Sequence, residues 1–575
     1  MKKKALKLVD TEKSIKIMDY SLIFAIFSSF LLKFHLILNQ KIAWDEFYFL
    51  SKVFLYKEGT LSEPFQNFHV HLLQWVDTVS KNEISQVIFA RSALFVFFIL
   101  SGILIYKISQ HFMTRTGALF AVFCWLAFSN VIEHGASLRY DSFCSFFFLL
   151  ACHSLLKKSG KKYWAAIAGV AMGVSLLVSL KAAIHVIALI TLLAGFWLIK
   201  SEKAPTLWET VSFLTFMIVT FATGFLIHKG LLHPPVQPVS QNFVSHASSK
   251  AIIFNTFFPQ LGYFSDTLRK NPVVWWLLAV GVFYVLFDFK KNNQKEQLIA
   301  LAFLVPLCSL PFYRNAFPYF YTFIMAPACL FCGILPNRML QDFRASKSIG
   351  LLFIVALLFL SVAVGAGFHF KKAIQQTNHS QAQLFTVIHR MFPQPVHYID
   401  GCSSVSSFPQ VGFFMSTWGF ENYLSQGRPI FRKILIETRP EFLLANTPHL
   451  DLDIPRNIEF FKYNHDFFEE DTKTLRDNFV NFWGMVWLPG KNFYFKSKDE
   501  QHHFEILIPG LYSIHGKSDI YIDGKHYQDN DKLYLSQGFH KIETGTGKQS
   551  IKILWAKLNF IPEERPPEIS TFYGF

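Results

Sequence analysis

Eleven apolar runs crowd the first 370 residues, at approximately 18–38, 86–106, 116–132, 142–156, 163–179, 182–199, 208–228, 273–288, 297–312, 318–334 and 348–368. A bilayer's hydrocarbon core is about 30 Å thick and offers backbone amides no water, so a chain crosses it as helices of roughly 17–25 apolar residues. The composition agrees, with 51% hydrophobic and only 17% charged residues, where soluble domains carry about a quarter charged. The expected architecture is a polytopic α-helical membrane protein of about eleven transmembrane helices. The first run is longer than a signal-peptide core and no small-residue cleavage site follows it, so it reads as a retained helix.

The net charge of +15 raises nucleic acid as a partner. The cations argue against it, because they fall in short clusters between apolar runs rather than along one stripe. They read instead as topology-setting charge beside membrane lipids. Lys2, Lys3, Lys4, Lys7, Lys13 and Lys16 precede the first run; Lys107 and Arg115, Lys157 to Lys162, Lys200 and Lys203, Lys290 to Lys295, and Arg338 to Lys347 occupy alternate loops. Short cytoplasmic loops are enriched in Lys and Arg. Eleven crossings therefore put the N-terminus in the cytoplasm and everything after 369 outside it, with a bacterial plasma membrane the expected location.

The segment after the last run has two textures. Residues 372–498 mix short apolar stretches with polar ones, as a small α/β layer does, and 499–575 alternate with period two between Pro-Gly and Asp-Gly turns, as an antiparallel β module does. The expected domains are thus 1–371 in the membrane, 372–498 and 499–575 outside it. Of seven cysteines only Cys402 lies in the tail, so no disulfide framework holds it. Cys329 and Cys332 have metal-ligand spacing but sit within an apolar run, where packing is the simpler role.

Polar residues collect on the expected outer side. Asp45 and Glu46 follow the first run, and His69 and His71 lie further along the same loop. Glu133, His134, Arg139 and Asp141 crowd the next outer loop, Lys181 interrupts the turn between two apolar runs, and Arg314 and Tyr319 lie in an aromatic turn before the tenth. Each has a plain alternative: a helix cap for the carboxylates, a surface histidine, a snorkelling lysine. Ionisable groups at a membrane boundary are costly, though, and their gathering on one side favours a site. Carboxylates and three cations there suit displacement at a sugar carbon with a lipid phosphate as leaving group. A carboxylate takes the acceptor hydroxyl's proton, and Lys and Arg stabilise charge on the departing phosphate. Nucleotide sugars are cytoplasmic, so an outer site needs a sugar carried on a lipid.

The order of these features resembles the GT-C superfamily of membrane glycosyltransferases, most nearly the branch of protein O-mannosyltransferases and bacterial aminoarabinose lipid A transferases. The features are Asp45-Glu46 after the first helix, His69-Val70-His71, Arg91 opening the second helix, Arg139-x-Asp141, Lys181, and Arg314 to Tyr319, within about 18–370. Relatives carry a Lys-Pro-Pro-type stretch where this chain has His-Val-His, and a glycine after the lysine corresponding to Lys181. The resemblance implies a polyprenyl-phosphate-sugar donor, usually inverting transfer, and a lipid, glycan or protein acceptor. It implies Asp45 as base, Glu46 as helper, Asp141 as a positioning or catalytic carboxylate, and Arg139, Lys181 and Arg314 as phosphate contacts. His69, His71, His134 and Tyr319 are further candidates to touch substrate. Metal use varies across the superfamily, so a divalent cation is compatible with it, although no metal-ligand set stands out in the sequence.

Two rival readings remain at this point: a transporter or flippase of lipid-linked envelope precursors, and a membrane-anchored binding protein acting through its tail. Transporters tend to carry repeats and charged or broken segments near mid-membrane, whereas the polar residues here gather at one face and no internal repeat is visible. Single cysteines placed near positions 60 and 240 are expected to react with an impermeant thiol reagent in intact cells; protection of either would overturn the shared outer face.

Overall fold

The computed structural model describes residues 11–157, 162–202, 204–232, 257–288, 295–463, 465–498, 500–517, 519–545, 548–568 and 572. Lys2, Lys3, Lys4, Lys7, Lys158, Lys161, Lys203, Lys290, Lys291 and position 240 lie outside them. The chain divides into two compact units, one of 1–40, 55–75 and 88–376, the other of 41–54, 76–87 and 377–575. The second differs from the expected tail in drawing in two pieces of the first outer loop.

All eleven apolar runs fall on helical segments, nearly all of them in the first unit. Among the described residues six helices are long and apolar enough to cross a bilayer: Thr11–Asn39, Glu83–Ser109, Leu180–Leu198, Leu207–Leu231, Phe320–Ser346 and Ile349–Ile374. A seventh candidate is Leu261–Lys270 with Pro272–Phe287, bent by 97° at Asn271. Proline at the first helical position lacks only an N–H that would be unpaired anyway, so Pro272 starts the second arm without loss. The remaining runs form shorter helices, among them Arg115–Ala127, Tyr140–Leu155 and Tyr163–Val178. Eleven full crossings are therefore more than these described helices meet by length and composition.

Local chemistry sets the ends and the packing. Thr206 and Glu209 form a reciprocal cap at the start of Leu207–Leu231, Thr206 N donating to Glu209 Oε2 at 2.8 Å and Glu209 N to Thr206 Oγ1 at 3.2 Å. That helix packs on Lys162–Val178 through Gly169 and Gly173, where added Cβ atoms would come within 2.4 Å of the Phe213 carbonyl and 2.8 Å of the Met217 carbonyl. Two small residues four apart let helix backbones approach this closely in lipid. At one end of the bundle Arg115 meets Asp19 at 3.5 Å and Arg344 meets Glu12 at 3.1 Å, gathering cations that the sequence assigns to one side.

In the second unit a seven-stranded sheet and a four-stranded sheet form the core. Tyr398–Ile399 pairs in parallel with Phe442–Leu444, which pairs antiparallel with Val486–Phe495. Gln549–Trp555 then lies between Val486–Phe495 and Gly510–His515, so the boundary expected at 498/499 cuts through one sheet. Side-chain alternation cannot reveal this, since it marks strands and not their partners. The Asp-Gly turn is as the sequence suggests: Asp523 and Gly524 have φ of 50° and 78°, closing a hairpin between Ile520–Ile522 and Lys525–Tyr527.

Glu83 is fully buried in this unit, with His389 Nε2 at 2.8 Å and the Ser407 hydroxyl donating to it at 2.5 Å. Burial opposes the charged form of His389, but its hydrogen bond to Glu83 and the carboxylate's charge outweigh that and raise its pKa. A raised folded-state pKa contributes stability below the unfolded value near 6.5 and loses it as pH climbs through the folded value. Amide exchange across His379–Met391 in the full-length protein is therefore expected to quicken as pH rises above about 6.5, beyond its intrinsic pH dependence, and His389→Gln to remove that added change. The same pH dependence in His389→Gln would rule this pair out as its source.

Candidate functional site

The loop before Tyr140–Leu155 is built to expose one cation and one carboxylate to each other. Helix Ser129–His134 ends at Gly135, where a Cβ would come within 2.5 Å of both the Phe98 ring and the Val131 carbonyl. The Ser142 hydroxyl donates back to the Gly135 carbonyl, and Arg139 N donates to Ser137 O at 2.7 Å. Arg139 is extended, with φ −144° and ψ 156°, and the helix begins at the next residue, placing Asp141 in its first turn.

Asp141 joins two of the three predicted phosphate contacts. Its Oδ1 accepts from Lys181 Nζ, and its Oδ2 lies 3.4 Å from Arg139 Nε. The Asp141, Arg139 and Lys181 side chains are only 2%, 7% and 9% exposed. The Arg139 guanidinium stacks 3.3 Å from the Tyr319 ring centroid, and Lys181 Nζ lies 5.9, 5.8 and 5.6 Å from Tyr140, Tyr319 and Phe323. Ring faces attract cations, more strongly out of water. Two cations share one carboxylate, leaving the triad with a positive charge and an aromatic wall. Tyr313 belongs to the same neighbourhood: burial raises its phenol pKa, the Asp141 charge adds to this and Arg139 opposes it.

The other predicted residues fall around or apart from this triad. His69 faces Tyr140 with ring centroids 5.7 Å apart. Arg314 follows Tyr313, and its carbonyl accepts from Gln260 Nε2 at 2.9 Å. His71 instead meets His228, Nε2 to Nδ1 at 2.8 Å, and burial lowers the His71 pKa, which favours a neutral pair. His134 is buried with its Nε2 3.9 Å from Glu133. Arg91 donates to the Gln40 carbonyl at 2.9 Å, closing the end of the first helix. Sequence reasoning passed over Lys33, whose ammonium donates to the Ile132 carbonyl at 2.5 Å from within the apolar Thr11–Asn39. A lysine inside such a run was the available signal.

Asp45 and Glu46 belong to the second unit, in the first turn of helix Trp44–Lys57, where the helix dipole favours carboxylates. Glu46 is buried and its Oε1 accepts from Ala43 N at 3.0 Å, so the capping reading applies to it. Asp45 is half-buried, and its charge helps hold the Cys402 thiol pKa up, after burial and Asp400. Among the described residues no group of three or more His, Cys, Asp or Glu could hold a metal ion.

Residues 72–226 match the family model for dolichyl-phosphate-mannose-protein mannosyltransferases. The fold matches solved structures of the Archaeoglobus fulgidus oligosaccharyltransferase. The apo form superposes with a TM-score of 0.53 at 10% identity over 83% of this chain and 73% of that one. The form tethered to an acceptor peptide gives 0.51 at 10% over 96% and 98%, and the complex with an inhibitory peptide and a dolichol-phosphate gives 0.50 at 10% over 92% and 96%. The fold is thus like that of the archaeal oligosaccharyltransferase. No curated protein sequence matches the chain. The stretch matched by the mannosyltransferase family model contains Arg139, Asp141 and Lys181, whereas Asp45, Arg314 and Tyr319 fall outside it. A further structure of the archaeal enzyme contains Zn and sulfate.

Removing one member of a buried ion pair strands the others, at a cost of about 3–5 kcal/mol. Asp141→Asn is accordingly expected to lower the thermal unfolding midpoint of the full-length protein by several degrees. Added inorganic phosphate should recover part of that loss in the variant while leaving the parent nearly unmoved. An unchanged midpoint without phosphate would mean the triad carries no such stabilisation.

Proposed function

We propose that the chain is a membrane glycosyltransferase that moves a hexose or pentose from a polyprenyl-phosphate carrier to a lipid, glycan or protein acceptor at the extracytoplasmic face. The observation that carries this reading is the buried Arg139–Asp141–Lys181 triad, whose three residues lie within the stretch matched by the mannosyltransferase family and whose guanidinium stacks on Tyr319. Charged groups so deeply buried are expensive unless they serve one another or a ligand. A phosphodiester is the anion that suits a planar guanidinium beside an ammonium. The archaeal oligosaccharyltransferase bound to dolichol-phosphate supports a lipid-phosphate donor, and its acceptor-peptide complex supports a macromolecular acceptor.

In this reading Asp141 holds Arg139 and Lys181 together before the donor arrives and yields part of their hydrogen bonding to the phosphate. The acceptor oxygen attacks the sugar's anomeric carbon while Asp45 takes its proton. The bond from that carbon to the phosphate oxygen breaks, its electron pair leaves with the phosphate, and configuration inverts. Arg139, Lys181 and Arg314 stabilise the charge that develops there, where preorganised donors act most strongly. Glu46 fixes the start of the helix that bears the base.

Asn keeps the shape of Asp but cannot take a proton. Asp45→Asn is expected to cost on the order of a hundredfold in transfer with donor binding near parental. Lys181→Ala and Arg314→Ala should each cost roughly ten- to a hundredfold through lost charge-assisted bonds. The measurement uses purified protein, polyprenyl phosphate carrying radiolabelled mannose or aminoarabinose, and membranes of a deletion strain as acceptor. Parental transfer by Asp45→Asn would sink the base assignment. Donor crossing a vesicle bilayer without turnover would favour the flippase instead.

A further inference from the structure

The helix that bears Asp45 is gripped by the residues after 377 at three places. Just before it, the Gln381 amide accepts from Ile42 N at 2.8 Å and donates to Ile42 O at 2.9 Å. One fully buried side chain thus satisfies both backbone groups of a buried residue three positions before Asp45, as a neighbouring strand would. Along the helix, Phe47 stacks on Phe385 at 5.3 Å and meets Phe572 at 5.7 Å. On another face Trp44 and Tyr48 bracket Phe414, at 5.4 and 4.2 Å between centroids.

The segment supplying Phe414 is itself rigid. Asp400, at the end of strand Tyr398–Ile399, is fully buried and accepts from the backbone N–H groups of Ser403 and Ser404 at 2.8 and 2.7 Å, from the Ser404 hydroxyl at 2.6 Å and from Asn446 Nδ2 at 3.0 Å. Ser406 in the same loop donates to the Phe47 carbonyl at 3.1 Å, and Met415 N returns to the Gly401 carbonyl at 2.9 Å. The loop is locked to the sheet at one end and to the Asp45 helix at the other.

We propose that Gln381 and Phe414 are positioning residues for transfer, fixing the first turn of Trp44–Lys57 so that Asp45 presents its carboxylate to the acceptor hydroxyl. This rests on the reading of Asp45 as base. General-base transfer is sensitive to misplacement of about 1 Å, and a first turn has few hydrogen bonds of its own with which to hold its angle. The segment after 377 thereby belongs to the chemistry, and is not only a scaffold or acceptor module.

The test is a double-mutant cycle on the full-length protein, with whichever labelled polyprenyl-phosphate sugar the parent turns over. Gln381→Leu and Phe414→Leu are each expected to lower kcat by about ten- to a hundredfold, with KM for the donor within about twofold. In the Asp45→Asn background, where no base remains to be aimed, each should change the residual rate by less than about twofold. Equal losses in both backgrounds, or parental kcat in the single variants, would overturn the positioning role. If Gln381→Leu fails to accumulate, Phe414→Leu decides alone, since it trims a half-buried ring. Asp45→Asn at the parental rate would instead overturn the base reading.

Discussion

A charge removed from water must meet an opposite charge or several hydrogen bonds, and the polar architecture of this protein follows from that requirement. The desolvation cost is several kcal/mol per ion, far above what a chain with so few charged residues could leave uncompensated. Asp141 between Lys181 and Arg139, Glu83 between His389 and Ser407, and Asp400 among its backbone donors are three solutions to the same problem. Asp471 is a fourth, accepting from the Tyr423 hydroxyl at 2.6 Å and from Phe431 N at 2.8 Å, where it caps helix Phe431–Thr438.

These solutions differ in what they leave over. Asp400 and Asp471 are surrounded by neutral donors, and each fixes a turn. In the Asp141 triad two cations meet one carboxylate, and an aromatic ring face lies against the guanidinium. Cations held beside ring faces out of water are the setting in which the proposed phosphate contact would be strongest. In the proposed function the same physics separates a structural carboxylate from one that holds cations for a ligand, and the difference lies in the charge of its partners, not in the burial.

Much of this could be read before the structure. The apolar runs marked their helices because backbone satisfaction in hydrocarbon leaves no alternative, and Arg139, Asp141, Lys181 and Tyr319 stood out as polar or aromatic groups on one side of those runs. Asp523-Gly524 announced its hairpin through its φ requirement. Other features were hidden. Glu46 looked equal to Asp45, and its burial and the Ala43 hydrogen bond mark it as a capping carboxylate. His71 was grouped with the substrate candidates, yet its partner, His228, is 157 residues away.

The sequence by itself determined what is dictated by local periodicity and by the bilayer: a helical membrane segment, strands beyond it, and a set of ionisable residues placed where they are costly. Only the tertiary structure decided which of those residues share a charge, that Gln549–Trp555 joins a sheet begun 151 residues earlier at Tyr398, and that Gln381 pairs with Ile42. Periodicity reports which face of an element is buried. Strand order and ion pairing depend on which distant faces then meet, and that choice is made by packing and desolvation over the whole unit.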